Sequence, residues 1–564
     1  MEFVIMLASL VGFAFFVIAL EAYRARKREK EFIGELYHNY TKLSDKSYSS
    51  ERFMRMGSYY ERHKSECQID DITWNDLGLD EIFKRMNYTM SASGEEYLYY
   101  MLRTLKQDRD SLEHFEKVMK CFEENPDERV RFQYKMHKLG YTGKYSLYEY
   151  IENLDYLGER KISKHLIPYL MFLPFIALLW LNFSLGIAGI VGLMMYNIIS
   201  YFKEKGEIEA YITSFAYILR LLDTCSEVEK LKLTECQGEL DCIKKCYNNV
   251  KSMSRGAFWV MSAGNGANLT SGDVFSILFD YIRMIFHVDL IKFDSMLKEV
   301  REHKEDIDRM ITMIGYLETA VAVWIFRQSL THGWCRPVFT EESGDNCIKM
   351  YHGYHPLIPD PVKNSIDSKK SVLLTGSNAS GKSTFLKTVA VNAILSQTVN
   401  TCSADSYSSP FYTIYSSMAL RDDLKNGESY YIVEIKALKR ILDAADRKQR
   451  VFCFVDEVLR GTNTVERIAA SAQILKSLSQ KGVLCFAATH DIELTGLLEK
   501  EFDNYHFEEE IVDGDIEFNY KLQPGKASTR NAIKLLEVLG YEKEIIEKAL
   551  KRAEDFMNTG EWKR

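Results

Sequence analysis

The stretch TGSNASGKSTFLK, Thr375 to Lys387, holds two glycines five positions apart, with Lys382-Ser383 directly after the second. This spacing suits a loop that grips phosphate. Residues without a Cβ let successive backbone N–H groups turn inward around phosphate oxygens, where side chains would block the approach. The apolar run SVLLT precedes the loop and STFLKTVAVNAILSQ, a helix-like run, follows it. That strand–loop–helix context is what a P-loop requires. The helix N-terminus adds a positive dipole end. Lys382 brings a point charge to the β- and γ-phosphates of ATP, and the Ser383 hydroxyl can ligate Mg²⁺. Gly376, Ser377, Asn378, Ala379, Ser380, Gly381, Lys382, Ser383 and Thr384 are therefore the expected ATP-binding residues.

A second apolar run, VFCFVDE, ends in Asp456-Glu457. Asp456 is placed to hold Mg²⁺ with Ser383, directly or from its second shell, and Glu457 to polarise an attacking water as general base. On its own, such a strand end is no more than two solvated acids. The phosphate loop upstream gives it a role. A third run, VLCFAATHD, ends at His490, where an imidazole can hydrogen-bond a γ-phosphate or the attacking water. A lone histidine at a strand end is usually structural, and here the two preceding elements favour catalysis. Glu457 and His490 are the expected catalytic residues.

These residues need a scaffold. From about Asn346 onward short β-branched or aromatic runs alternate with helical ones, the texture of a mostly parallel sheet covered by helices on both faces. Near the end, FEEEIVDGDIEFNYKL reads as two strands around an Asp513-Gly514 turn, and two helices follow. Residues 21–160 and 203–340 carry apolar and charged residues at helix spacing. DVFSILFDYIRMIF contains Asp280 and Arg283 and reads as a buried soluble helix. The chain has 564 residues, 46% of them apolar, enough for several domains with sizeable cores. Only 9 prolines occur, which suits long helices. A net charge of −8 excludes a surface coated in Lys and Arg. The 11 cysteines contain no C-x-x-C pair, and Cys225, Cys236, Cys242 and Cys246 fit no common zinc spacing, so reduced thiols are expected.

Two stretches depart from a soluble pattern. Phe3 to Leu20 carries no charge. At ~1.5 Å per residue it covers nearly the ~30 Å hydrocarbon core. A cleaved signal peptide would want a basic start and a small-residue cleavage site, whereas this chain opens Met-Glu. Arg24, Arg26, Lys27, Arg28 and Lys30 follow directly, which places the N-terminus outside and the remainder in the cytosol. Leu166 to Phe202 is also uncharged and, as one helix, would reach roughly 55 Å. NFSLG, Asn182 to Gly186, supplies turn residues at its middle, so a hairpin of two spans is expected. Arg160, Lys161 and Lys164 at one flank and Lys203 and Lys205 at the other put both ends on the cytosolic side. The competing reading is a buried helix pair, which usually carries some charge on an outer face.

The phosphate loop, the acidic strand and the histidine strand, in this order with LRGTNT between the last two, resemble the MutS family of DNA mismatch-repair ATPases, an ABC-type class. The resemblance covers roughly 354–549. YHPLI resembles the segment entering the family's ATPase domain, and Asn378 stands at the family's P-loop asparagine. DDLKNGESYYIVEI resembles the family stretch with a Ser, an aromatic residue and a Glu, which implies that Ser429 reaches into the partner subunit's ATP site. DEVLRGTNT looks like the acidic strand and its turn, and ATHDIELT like the histidine switch. GKASTRNAIKLLEVLGYEKEIIEKA is similar to the C-terminal helical element that supports dimerisation. More weakly, DDITWNDLGLDEIFKRMNYTMSASGEEYLYYMLR resembles the start of the helical core and lever.

The resemblance thus implies an α/β P-loop ABC-type ATPase domain at the C-terminus after an all-α core/lever domain, here with three transmembrane helices. The expected divisions are an anchor at 1–22, a helical region at 23–160, a membrane hairpin at 161–203, a second helical region at 204–343 and the ATPase with its dimerisation element at 344–564. It implies a homodimer using ATP and Mg²⁺, multi-pass in the cell membrane with the ATPase cytoplasmic. It also departs from the family. The mismatch-reading domain has no room before residue 70, and Phe122 and Phe507, which precede acids, lie in other contexts. DPVKN, expected beside the adenine, lacks an aromatic residue. DNA is accordingly expected as a partner with weak mismatch preference at best, since no basic run outside the juxtamembrane segment offers phosphate neutralisation. The alternative is a membrane module in which ATP drives the helical arms against a protein partner. A transporter is disfavoured, because the spans lack the polar residues of a transport path.

Overall fold

Ser371–Thr375 is buried at every position, as a strand sandwiched on both faces and on both edges must be. It is the middle of a larger sheet in a computed structural model that describes residues 2–38, 40–41, 46–65, 67–142, 146–160, 162–255, 281–340, 346–377, 380–418, 430–447, 450–459, 462–512, 515–526, 533 and 540–559. Ten strands are described: β1 (Pro337–Phe339), β2 (Ile348–Gly353), β3 (Asn364–Ser368), β4 (Ser371–Thr375), β5 (Ser406–Ser409), β6 (Thr413–Ser417), β7 (Val451–Asp456), β8 (Leu484–Ala488), β9 (Phe502–Val512) and β10 (Asp515–Pro524). Six form a sheet of order β10-β9-β4-β8-β7-β6, parallel throughout except for the β9–β10 hairpin. A smaller sheet has the order β1-β5-β2-β3, with β1 parallel to β5 and the other pairs antiparallel. The hairpin expected around Asp513-Gly514 is present in its strands, with Val512 opposite Asp515, while the turn itself lies outside the described residues. Of the two closing helices, Lys543–Thr559 is described and the other falls outside the described residues.

The chain divides into two compact units. The sheet-bearing unit takes 327–564 together with 64–86 and 101–116. These two helical segments are held inside it by specific bonds. Thr73 Oγ1 accepts from the Ser416 N–H at 3.1 Å, and Asp76 accepts from Ser416 Oγ at 2.7 Å and from the Met418 N–H at 2.9 Å. Farther along, Arg327 forks onto buried Glu116 at 2.9 and 2.8 Å and also donates to the Asn400 carbonyl at 2.8 Å and to Thr401 Oγ1 at 2.9 Å. Burial alone would raise the Glu116 carboxyl, but the Arg327 fork, Arg336 and Asn400 outweigh it and hold the group below its ordinary range.

The other unit, residues 1–63, 87–100 and 117–326, is helical in its described residues. The helix Ala92–Arg103 starts on a buried carboxyl group: Glu318 accepts from the Met90 and Ser91 N–H groups at 2.5 and 3.1 Å, satisfying donors at the helix start. Glu96 on the same helix is fully enclosed, and burial pushes its carboxyl up to about 8, with Arg55 and Ser146 opposing the shift. The folded state therefore holds this proton more tightly than the unfolded chain does. Stability is present below the ordinary value of 4.5 and is lost as pH rises through about 8. Glu96→Gln is expected to remove that slope. The apparent Tm of the full-length protein in detergent should match the parent at pH 5 and exceed it at pH 9, by an increment worth roughly 2 kcal/mol.

The expected first span lies within one helix, Glu2–His38. The expected hairpin is present as helices Ser163–Leu170, Phe172–Leu181 and Phe183–Val228. Its turn is tighter than NFSLG suggested. Asn182 alone leaves the helical conformation, its side chain accepts from the Leu185 N–H at 3.2 Å, and helix resumes at Phe183. Gly189 admits the Phe175 ring where a Cβ would collide, so the two arms pack closely. The second arm runs unbroken to Val228, well past the expected end at 203. Ser163–Leu181 and Phe183–Ile208 are long and apolar enough to cross a membrane and only 6% and 11% buried. Trp180, Leu181 and Phe183 at the tip are among their most exposed residues. Lys304–Gln328 is nearly as apolar but 78% buried, a core helix. The expected buried helix DVFSILFDYIRMIF falls partly outside the described residues; its end, Tyr281–Phe286, is helical and Arg283 there is buried.

Candidate functional site

β4 delivers the chain into the glycine-rich loop, and the helix Lys382–Val399 leaves it with Gly381 as its N-cap. Gly376 has φ +142, and a Cβ there would stand 2.7 Å from the Phe507 carbonyl oxygen. Only glycine passes through that gap without displacing β9. Lys382 is buried, and its ammonium donates to the carbonyls of Gly376 and Ser377 at 2.8 and 2.6 Å. Among the described residues, Ser380 Oγ, buried in the same cradle, has no hydrogen-bond partner. A buried hydroxyl without a partner costs about 1–3 kcal/mol, and a phosphate oxygen would satisfy it. Residues 378 and 379 of the loop lie outside the described residues.

A cavity of about 520 Å³ opens over this loop, within the usual range for a ligand of nucleotide size. Ser380, Gly381, Lys382, Ser383 and Thr384 form one wall, and Glu457 and His490 reach it from the ends of β7 and β8. His490 Nε2 and the Glu457 carboxylate are 3.1 Å apart. Asp456, the expected metal ligand, closes β7 opposite Ala488 but is not on the cavity wall. It is the last residue of its strand, and Glu457 after it has already left the extended conformation. Ser429, expected to act in a partner's site, lies outside the described residues.

The turn that presents Glu457 is strained. Glu457 and Leu459 have φ of 57° and 60°, and non-glycine residues in this region cost of order 1–3 kcal/mol each. Three bonds hold it. The Glu457 N–H donates to the Ala488 carbonyl at 2.9 Å, the Leu459 N–H donates to the buried Glu434 carboxylate, and Ser471 Oγ donates to the Val458 carbonyl at 3.2 Å. Glu434 sits on the helix Tyr430–Asp446. In the sequence it stands within DDLKNGESYYIVEI, with no local sign of this contact. Its distance of 25 positions from Leu459 left no periodic signal. Behind His490, Asp491 forms a bidentate pair with Arg467 at 2.9 and 2.6 Å, which fixes the end of that loop.

The far wall holds Asp360, Pro361, Val362 and Asn364 from the DPVKN segment, as expected, and two aromatic residues that the sequence did not point to. Tyr520 enters from a register shift in β10 between Phe518 and Leu522. Asn364 pins that irregularity, donating to the Tyr520 carbonyl at 2.9 Å and accepting from the Leu522 N–H at 2.8 Å. Phe507 from β9 lies beside it. The missing aromatic surface is thus supplied from some 160 positions away, through a strand irregularity that no composition rule marks. His355, also on the wall, is pushed down to about 4 by burial, aided by Lys387, so its imidazole is neutral near pH 7.

Residues 372–557 match the family model described as MutS domain V. The chain is 28% identical over 262 residues to the DNA mismatch repair protein MutS of Thermus thermophilus, covering 46% of this chain and 31% of that protein. It is 29% identical over 271 residues to the protein of the same description from Thermotoga maritima, covering 46% of this chain and 33% of that one. With the one from Lactobacillus acidophilus it shares 32% identity over 233 residues, covering 39% of this chain and 27% of that protein. The chain thus spans about a third of the length of the curated relatives it matches.

Proposed function

We propose, for a chain that belongs to the MutS family, that it binds and hydrolyses Mg-ATP in the cavity above residues 376–384 and does so at a membrane. One observation carries the enzymatic reading: Lys382, Ser383, Glu457 and His490, drawn from three separate chain segments, line one cavity with Glu457 and His490 paired at 3.1 Å. The loop N–H groups and the start of the helix at Lys382 bind the phosphates, and the Lys382 ammonium exchanges its loop carbonyls for phosphate oxygens. Ser383, on the cavity wall, would hold Mg²⁺, with Asp456 acting from its second shell. That ion supplies charge neutralisation between the β- and γ-phosphates. Glu457 takes the proton of the attacking water on its carboxylate, and His490 Nε2 orients that carboxylate. Tyr520 and Phe507 offer ring faces to a base. The test is Mg²⁺-dependent ATP hydrolysis by the full-length protein in detergent.

The membrane reading rests on the two exposed apolar helices of 163–208, a patch far larger than a soluble surface leaves uncovered. With the basic residues after Leu20, it gives three spans and a cytoplasmic ATPase. A reporter active only outside the membrane should work when inserted at Ser184 and fail at the C-terminus, and alkaline carbonate should leave the protein in the membrane pellet. Release by carbonate contradicts integral insertion.

Ser429 would complete the site of a second copy, making the working form a dimer that closes on ATP. The names of the relatives favour DNA as what such a dimer embraces. A net charge of −8, with the one dense basic run beside the first span, favours a protein partner instead. Both readings share one expectation. In competition at about physiological salt, mismatched and matched duplexes should bind within tenfold of each other, about 1.4 kcal/mol. A larger preference would mean that the helical arms insert a side chain at an unstacked base step.

A further inference from the structure

The helix Val288–Glu302 places Val288, Ile291, Lys292, Ser295 and Glu299 at spacings of three, four, seven and eleven, which is one helical face. That face borders a second cavity of about 490 Å³, closed by Ile162, Ser252 and Arg255. Its lining is divided by chemistry. Ile162, Val288 and Ile291 are apolar. Arg255 and Lys292 are cations. Ser252, Ser295 and Glu299 are polar, and Glu299 accepts from Ser252 Oγ at 2.6 Å. Among the described residues, neither cationic side chain has a hydrogen-bonded or ion-paired partner. Lys292 is also half buried, and burial lowers its ammonium against the support of Glu299. Two cations against the single carboxylate of Glu299 leave the cavity with a net positive charge and room for a singly charged anion. Ile162 stands one residue before Ser163, where the exposed apolar hairpin begins. If the hairpin spans a bilayer, this cavity opens at the depth of the headgroups on the side that carries the flanking Arg160 and Lys164.

We propose that this cavity is a binding site for the headgroup of an anionic phospholipid, with the phosphodiester between Arg255 and Lys292, the hydroxyls of the head toward Ser252 and Glu299, and the glycerol end against Ile162, Val288 and Ile291. The proposal rests on the membrane reading above. Basic pockets beside membrane helices at the cytoplasmic face recognise such headgroups by combining a fixed charge pair with an apolar edge. Glu299 disfavours inorganic phosphate, which near neutral pH carries more negative charge beside that carboxylate than a phosphodiester does.

The experiment uses full-length protein in a nonionic detergent, titrated with short-chain phosphatidylglycerol or phosphatidylcholine, with adducts counted by native mass spectrometry. Phosphatidylglycerol should bind about tenfold more tightly. Arg255→Gln with Lys292→Gln should bring the two lipids within about twofold. Arg255→Lys with Lys292→Arg, which keeps the charges, should retain the preference. A large excess of inorganic phosphate should leave the adduct in place. Equal lipid preference in the parent and the glutamine variant overturns the site, and displacement by inorganic phosphate overturns the lipid as its occupant. Failure of the membrane reading shows separately, as release of both proteins from native membranes by alkaline carbonate.

Discussion

Lys382→Ala weakens Mg-ATP binding by about 2–5 kcal/mol, roughly 30- to 5,000-fold, while leaving the fold in place. The size follows from burial. Lys382 is 5% exposed and its ammonium already rests on the Gly376 and Ser377 carbonyls. A charge so placed meets phosphate in a poorly hydrated setting, where an ion pair is worth several times its value in water. Its removal leaves the phosphate oxygens facing two carbonyl dipoles of the wrong sign. Lys382→Arg is not a conservative control, because a planar fork cannot occupy the space of an ammonium between the two carbonyls. Equilibrium binding of a fluorescent ATP analogue, with circular dichroism to confirm folding, checks the outcome. A loss under threefold would mean that the cavity does not hold the triphosphate as described.

Arg327→Ala is expected to cost about 3–5 kcal/mol of stability, more than any surface change, and to lower the apparent Tm by roughly 10 °C. The variant would leave the Glu116 carboxylate, 5% exposed, with Asn400 and the distant Arg336 in place of its fork. It would also release the Asn400 carbonyl and Thr401, which end the helix that begins at Lys382. The pH dependence has a definite sign. Glu116 is held below its ordinary 4.5, so its contribution is present above that value and lost as pH falls through the lower folded value. In the variant, burial dominates and the carboxyl rises. The deficit should therefore be largest near neutral pH and shrink toward pH 4. Thermal unfolding of both proteins across that range tests it, and a deficit under ~1 kcal/mol near pH 7 would show that the pair is not what holds Asn400.

The side chains that meet on the cavity wall were legible because each follows an apolar run. Five consecutive buried residues in each of β4, β7 and β8 declare a covered parallel sheet, and the first polar residue beyond each run falls at the sheet's carboxyl edge. The exposed hairpin was legible from thirty-odd residues without a charge. What sequence could not supply are pairings without local period. Nothing near Thr73 or Asp76 announces a bond to Ser416, more than 300 positions on, so the segments 64–86 and 101–116 read as part of the helical region although they fold with the sheets. Tyr520 reaches the cavity through a register shift, and Glu434 holds the Glu457 turn across two elements.

Hydrolysis in this cavity would depend most on Glu457. Its carboxylate, held by His490 at 3.1 Å and presented by a strained turn, is assigned the proton of the attacking water. The direct measurement is single-turnover hydrolysis of radiolabelled ATP by the full-length Glu457→Gln protein, alongside its equilibrium affinity for Mg-ATP. The amide keeps the shape and the hydrogen bond to His490 and removes the base. Affinity should stay within about threefold of the parent while the cleavage rate falls about 10²- to 10⁴-fold. Cleavage at the parent rate with unchanged affinity would contradict the assignment of Glu457 and, with it, the reading of this cavity as the place where ATP is hydrolysed.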